Sequence, residues 1–364
     1  MQPMSSLEQT REYYAGFAED YAKGESATYD DWARGVAADD ELIARLGELE
    51  APKRQPNLLF AAARWHGVPD RAPFAQMRQG VLDQWAAVSA TMRSRSTQTN
   101  EVRRCASLVP LLGRVLVDVS YAPLALLEVG VSGGLCLYPD RYGYRYLDDR
   151  GEVVREIEAD RSVVLESVVD GVPREQLPAT LPRTLPEVHW RGGLDLNPLD
   201  ITDEETLRWL RTLVWPEHED RLALLDAAAE LVGGEERTLV RGDARTDLSS
   251  LMARARSEAP QARLVVFHTA VAAYFEDDLR EDWPDLMAQL CAEHDAVWIS
   301  NEHPEVLPSV ADAMCTDPPA GRFCLGVSGQ GIAWTHGHGR SLTWDSGPCA
   351  AGTDDDEVVV GAPS

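Results

Sequence analysis

The chain has 364 residues, 44% of them hydrophobic, and a formal net charge of −26. That length supports a sizeable core in one elaborated domain or two, and no 18-residue apolar run suggests a membrane span. The acidity opposes binding to nucleic acid or an anionic membrane, because phosphates are repelled.

Residues 1–120 read as a helical domain. "DDELIARLGEL" places Leu42, Ile43, Leu46 and Leu49 at helical spacing behind an Asp pair suited to capping. "NLLFAAARWHG", "FAQMRQGVLDQWAAVSATM" and "NEVRRCASLVPLLGRVLVDV" carry the same period. The texture changes at Leu124, where "PLALLEVGVSGG" is an apolar strand running into a small-residue loop. Tyr142–Ala159 alternates around Asp148-Asp149-Arg150-Gly151, which predicts a hairpin. Residues 160–186 hold several prolines and read as irregular. "VHWRGGLDLNPLDI" gives a short strand and polar turn, and residues 203–232 a helix interrupted near Pro216. Strands "RTLVRGDA", "ARLVVFHTA" and "AVWISNE" then alternate with helices. Two antiparallel segments, "RFCLGVSG" and "GIAWTHGHGRSLTW", follow. Residues 348–364 read as a loose acidic tail.

Alternating strands and helices imply an α/β fold with a mostly parallel sheet. We place the sheet domain at 121–347, with an insertion at about 142–235. In such a sheet ligands bind beyond the carboxyl ends of the strands. The strand exits here are polar: Glu128 to Gly134, Asp195 to Asn197, Gly242-Asp243, His268-Thr269 and Asn301-Glu302-His303.

This order of exits resembles class I S-adenosylmethionine-dependent methyltransferases, and the resemblance implies a Rossmann-like fold. Their acid-x-Gly-x-Gly-x-Gly loop corresponds to Glu128, Gly130, Ser132 and Gly134, with Ser132 at the middle glycine and Gly133 between. The resemblance implies S-adenosylmethionine as cofactor and a small molecule as methyl acceptor at oxygen or nitrogen. Asp195 is then the ribose acid and Asp243 faces the adenine. The interval from Glu128 to Asp195 is 67 residues, against roughly 20 in a compact nucleotide-binding unit. Asp148 and Asp149 are the alternative second-strand acids. His268, Glu302 and His303 are the candidate catalytic residues, with His268 or Glu302 removing the acceptor's proton.

Two other readings compete. Gly130-Val-Ser132-Gly-Gly134 also fits the G-x-S-x-G nucleophile elbow of α/β-hydrolases, with Asp243 and His303 or His336 completing a triad. That fold places several strands before the elbow, and none is read before residue 122. The third reading is a ligand-binding scaffold without catalysis. Asn100, Glu101 and Arg103 either line the pocket or serve structure. His336 and His338 read as a hairpin turn rather than a metal site, and no metal is expected.

"RQPNLLFAA", "QTNEVRRCA", "LLEVGVSGGL", "RGGLDLNPLD", "LRWLRTLVWPE" and "HGHG" resemble a family of uncharacterised bacterial and archaeal proteins, domain-of-unknown-function family 2332. Its loop pattern already carries the serine at position 132, and this chain has Cys136 where asparagine is usual. Scattered cysteines without C-x-x-C spacing point to reduced thiols. With no apolar leader at the N-terminus, they give a cytoplasmic expectation. Two lysines against sixty acidic residues resemble a halophilic composition, since at about 1 M salt charges are screened within roughly 3 Å.

Overall fold

The computed structural model describes residues 6–98, 100–115 and 123–345. Among the described residues seven α-helices precede the first strand: α1 (Leu7–Phe17), α2 (Ala27–Ala38), α3 (Asp40–Leu46), α4 (Pro56–Trp65), α5 (Phe74–Asp83), α6 (Trp85–Ser94) and α7 (Cys105–Val115). Their starts follow local chemistry. Ser6 and Gln9 form a reciprocal capping box, Ser26 and Asp39 cap α2 and α3, and Pro56 occupies the first turn of α4. Their apolar faces meet around Tyr14, Phe17, Tyr29, Trp32 and Phe60. Trp215 joins this cluster from far along the chain, stitching the helices to the rest of the molecule.

The strands are β1 (Leu124–Val129), β2 (Gly143–Leu147), β3 (Val153–Ile157), β4 (Val164–Asp170), β5 (Val188–Asp195), β6 (Thr238–Arg241), β7 (Arg263–Thr269), β8 (Ala296–Glu302), β9 (Arg322–Val327), β10 (Gln330–His336) and β11 (Ser341–Trp344). They form one sheet in the order β3-β2-β4-β11-β10-β9-β8-β7-β1-β5-β6. The run β6-β5-β1-β7-β8 is parallel throughout, and the chain's direction of travel reverses at β1. β9, β10 and β11 continue the sheet as an antiparallel meander. The remaining helices are α8 (Glu204–Leu213), α9 (Glu219–Val232), α10 (Ala244–Glu258), α11 (Asp277–His294) and α12 (Pro308–Ala311).

The fold is thus mixed α/β, with a mostly parallel sheet and a substantial antiparallel part. The hairpin read at residues 142–159 is β2–β3. The stretch 160–186, read as irregular, contains β4. Its partners are β2 and β11, and β11 lies far ahead in sequence, so the local pattern carried little sign of it. β2, β3 and β4 do not sit between β1 and β5. They extend the far edge of the sheet, and the chain returns as β5 to pair with β1. The long interval before Asp195 is spent on that excursion.

Period-two alternation divides the strands between two cores. Leu124, Leu126, Val265, Phe267 and Ile299 face the N-terminal helices, α8 and α9. Ala125, Leu127, Val129, Leu264, Val266 and Trp298 face the other way, against α10 and α11. No helix among the described residues is long and apolar enough to cross a membrane. The acidic tail, Cys349 and the expected domain boundary near residue 120 lie outside the described residues.

Candidate functional site

The carboxyl ends of β1, β5 and β6 are hydrogen-bonded to one another. Gly130 and Val131 donate through their amides to the Leu194 carbonyl at 2.8 and 3.3 Å, and Gly242 N–H donates to the Asp195 carbonyl at 3.0 Å. The loop after β1, the end of β5 and the turn after β6 therefore form one continuous edge. The structure brings Glu128, Gly130, Ser132, Gly133, Gly134, Asp195 and Asp243 to that edge. Asp148 lies elsewhere, in the β2–β3 turn, where it accepts from the Arg150 and Glu152 amides; Asp149 follows it in the same turn.

Each loop residue has a defined task. Gly130 adopts φ +74°, and a Cβ there would stand 2.3 Å from Val271 Cγ2. Alanine at this position meets a left-handed backbone and a steric clash together. Gly130→Ala is expected to lower stability by about 1–3 kcal/mol from the backbone alone, read as a lowered urea midpoint; an unchanged midpoint would contradict this geometry. Ser132 holds φ +50°, the left-handed region where glycine is more at ease. Its amide donates to Asp195 Oδ2 at 2.8 Å and its hydroxyl to the Gln98 carbonyl at 3.2 Å. No histidine is among its partners. Asp195 Oδ1 accepts from Gln98 Nε2 at 3.0 Å and Asn197 N–H at 2.8 Å. Asn100 Oδ1 accepts from the Leu135 amide at 3.0 Å. Gln98, Asn100 and Glu101 consequently roof the loop, a role the sequence offered as one of two for Asn100 and Glu101.

The loop is followed by a three-residue 3-10 turn, Leu135–Leu137, and then by β2. No α-helix starts there, and four of the loop's amides, at 130, 131, 132 and 134, already have partners within the protein. A phosphate normally seeks a helix start and free amides; this loop supplies no helix start. Asp243 is exposed and caps α10 by accepting from Arg245 N–H at 2.8 Å.

The three candidate catalytic residues differ sharply. His268 is fully buried on the face of β7 toward α11. Its Nε2 receives the indole N–H groups of Trp283 and Trp298, both at 3.0 Å. That fixes the proton on Nδ1, which donates to Glu302 Oε1 at 2.7 Å. Glu302 Oε1 also accepts from the amides of Val271 and Ala272. Both nitrogens of His268 are engaged, so this arrangement leaves it no lone pair for an incoming proton. The pair instead pins the loop after β7 to the end of β8. His303, just past β8, is half-buried and accepts the Glu305 amide on Nδ1 at 3.3 Å. Its neutral form therefore presents an N–H at Nε2.

Sequence reasoning did not single out Arg104, which is 9% exposed. Its Nε donates to the Gly337 carbonyl at 2.9 Å, and Nη1 reaches the Thr269 carbonyl and hydroxyl at 3.2 and 3.3 Å. The only hint in sequence is an arginine doublet opening an apolar helix. Glu128 is 5% exposed and its Oε2 has no partner. Burial, reinforced by the neighbouring Cys136 thiol and Asp195, pushes the Glu128 carboxyl well above the usual carboxylate range, against the opposing pull of Arg104.

A second polar cluster surrounds the "HGHG" turn. Gly339, at φ +73°, lets the turn press on residues 103–104; a Cβ there would stand 2.2 Å from the Arg103 carbonyl. His336 Nδ1 accepts the His338 amide at 3.0 Å. Arg221 donates to His218 Nδ1 at 2.9 Å and pairs with Glu101 at 2.5 Å, both members buried. No group of three or more His, Cys, Asp or Glu among the described residues is placed to hold a metal ion.

No curated protein matches the sequence. A family model does, over residues 11–344. Nearly the whole described chain, from the first helix to the last strand, falls within that match, and the protein therefore belongs to the family described as "Uncharacterized protein conserved in bacteria (DUF2332)".

Proposed function

We propose that the protein transfers a methyl group from S-adenosylmethionine to an oxygen or nitrogen of a small molecule. The observation that carries this reading is the acid-lined edge at the reversal point of the parallel strands. The order β6-β5-β1-β7-β8 matches the first five strands of the nucleotide-binding Rossmann arrangement, whose ligands sit where the strand order reverses. β9 departs from that arrangement by running antiparallel.

The loop chemistry favours a sulfonium nucleoside over a dinucleotide. A pyrophosphate normally seeks a helix start, and the acids at 195 and 243 disfavour it. A cationic sulfonium ligand is attracted by the same acids. Asp195 would hold the ribose and Asp243 the adenine side, beside the Gly130–Gly134 loop. Methyl transfer to an activated acceptor draws mainly on proximity and alignment. With His268 tied to its tryptophans, the acceptor's proton would leave through Glu302, His303 or water. The working environment would be a cytoplasm of high salt, which suits a charge of −26, and the partners would be small molecules rather than nucleic acid.

Titration calorimetry of the full chain with S-adenosylhomocysteine in molar salt tests the reading. Binding in the micromolar range, lost in Asp195→Ala, supports it; no heat at millimolar ligand rejects it. A binding scaffold without catalysis is the second reading, favoured by the two engaged nitrogens of His268. Binding of the cofactor without turnover across acceptor panels would select it.

A further inference from the structure

Charge is divided along the carboxyl edge of the sheet. Asp195 and Asp243 stand where β5 and β6 end. β9 runs antiparallel to β8, and β10 antiparallel to β9, so the start of β9 and the end of β10 lie at this same edge. What they bring is basic. Arg322 opens β9, His336 closes β10, and the two are register partners, which puts their side chains on one face. Arg322 Nη1 donates to Ser341 Oγ, so its guanidinium lies beside Arg340 at the foot of the turn.

Donors outnumber acceptors here. The chain carries 60 acidic residues against 34 lysines and arginines, yet Arg322 has no carboxylate partner, and its Nε and Nη2 make no hydrogen bond among the described residues. Arg340 gives Nη1 to Glu25 at 3.1 Å, and its side chain stays 31% exposed. His336 Nδ1 accepts the His338 amide at 3.0 Å, which leaves the neutral ring's proton on Nε2, with no acceptor among the described residues. The His338 ring lies 5.3 Å from that of His336, and its buried Nδ1 has no partner. Behind the turn, Arg104 bonds only to uncharged oxygens of Gly337 and Thr269. Glu25 and Glu101 are the carboxylates that act on His336, and Glu101 is already paired with Arg221.

We propose that the His336–Arg340 turn anchors a phosphate group of the methyl acceptor, held by Arg322, Arg340 and the Nε2–H of His336. Donors come to the turn from both strands and from the chain beyond it. A phosphate offers three terminal oxygens to donors on different sides, where a carboxylate offers two. Phe323 links this anchor to the reacting end. Its ring lies 6.2 Å from that of His303, and a Cβ on Gly337 would stand 3.3 Å from it. The acceptor's anionic end then occupies the basic part of the edge, and the sulfonium ligand the acidic part. The phosphate site stands on its own geometry; its service to an acceptor rests on the methyl-transfer reading.

Calorimetry on the full chain at fixed ionic strength tests this with inorganic phosphate, phenyl phosphate and acetate as probes. Saturable binding of both phosphates is expected, weakened about tenfold or more in Arg322→Gln and in Arg340→Gln, as for loss of a charged hydrogen bond. Asp195→Ala is expected to keep phosphate binding while losing S-adenosylhomocysteine. If neither arginine variant folds, His336→Asn carries the comparison, with the same loss expected. No saturable phosphate heat, or variants that bind phosphate as the wild type does, would overturn the site. The general stabilisation that phosphate gives proteins by exclusion cannot imitate the result, because it neither saturates nor depends on Arg322. Acetate bound as tightly as phosphate overturns the choice of phosphate. Inorganic phosphate bound but phenyl phosphate refused would make this a site for the free ion and overturn its service to an acceptor. If the wild type binds the phosphates but not S-adenosylhomocysteine, the adenosyl reading fails and the phosphate site remains.

Discussion

His268→Ala is expected to lower the unfolding free energy by about 2–5 kcal/mol, because a neutral buried imidazole on which three buried groups depend is removed. The imidazole is fully buried and joins three groups that are themselves buried. Its loss leaves the indole N–H groups of Trp283 and Trp298 without an acceptor, and each stranded buried donor costs about 1–3 kcal/mol. Glu302 loses a 2.7 Å partner while keeping its two amide donors, which softens the effect without cancelling it. His268→Asn, whose amide can still donate toward Glu302, should fall between wild type and alanine. Urea titration gives the stability. Tryptophan emission gives a second reading, because both indoles change partner. A midpoint and spectrum equal to wild type would mean that the network contributes little.

The second large effect is acid lability well above the range where carboxylates titrate. Burial with Arg340 and Arg322 nearby lowers the His336 pKa to about 4. Burial first, then Arg221, Arg104, His336 and Arg340, holds His338 well below its ordinary value. His218 is lowered by burial, Arg221 and Arg340, with Glu25 opposing. In the unfolded chain all three titrate near 6.5. As pH falls from about 6.5 toward 4, the unfolded chain takes up protons that the native cluster refuses, so stability drops across that window and is fully present above it. At about 1.4 kcal/mol per pKa unit, His336 alone contributes on the order of 3 kcal/mol. Urea midpoints at pH 7.5, 6 and 5 should decline steadily in the wild type and less steeply in His336→Asn. A profile that is flat over this range would remove the histidine cluster as the cause.

Much of the architecture is legible in the amino-acid order. The apolar run at 124–129 and the strand–helix alternation after 236 are local patterns, and each became the element that it predicts. Asp195 could be placed because it ends a short apolar strand. The choice between Asp195 and Asp148 needed the pairing of β5 with β1, which no local pattern carries. β4 escaped notice because its seven residues lie in a proline-bearing stretch and find their partners at a distance. The engagement of His268 depends on two tryptophans on different elements. Arg104 belongs to a helix start that becomes informative only once it is seen against Thr269 and Gly337. Local periodicity encodes which face is buried; it does not encode which strand ends meet.

The pairing of Ser341, Leu342 and Thr343 with Val168, Val169 and Asp170 sets an order of events during synthesis. The three-stranded outer panel, β3-β2-β4, is translated well before β11, which among the described residues is the strand that joins it to the remainder of the sheet. Until then β4 has an open edge, a ready template for another chain's strand. A nascent chain stalled before Ser341 therefore leaves the β4 edge unpaired, although the panel's inner face already packs on the N-terminal helices, and premature termination there exposes an adhesive border rather than merely shortening the protein.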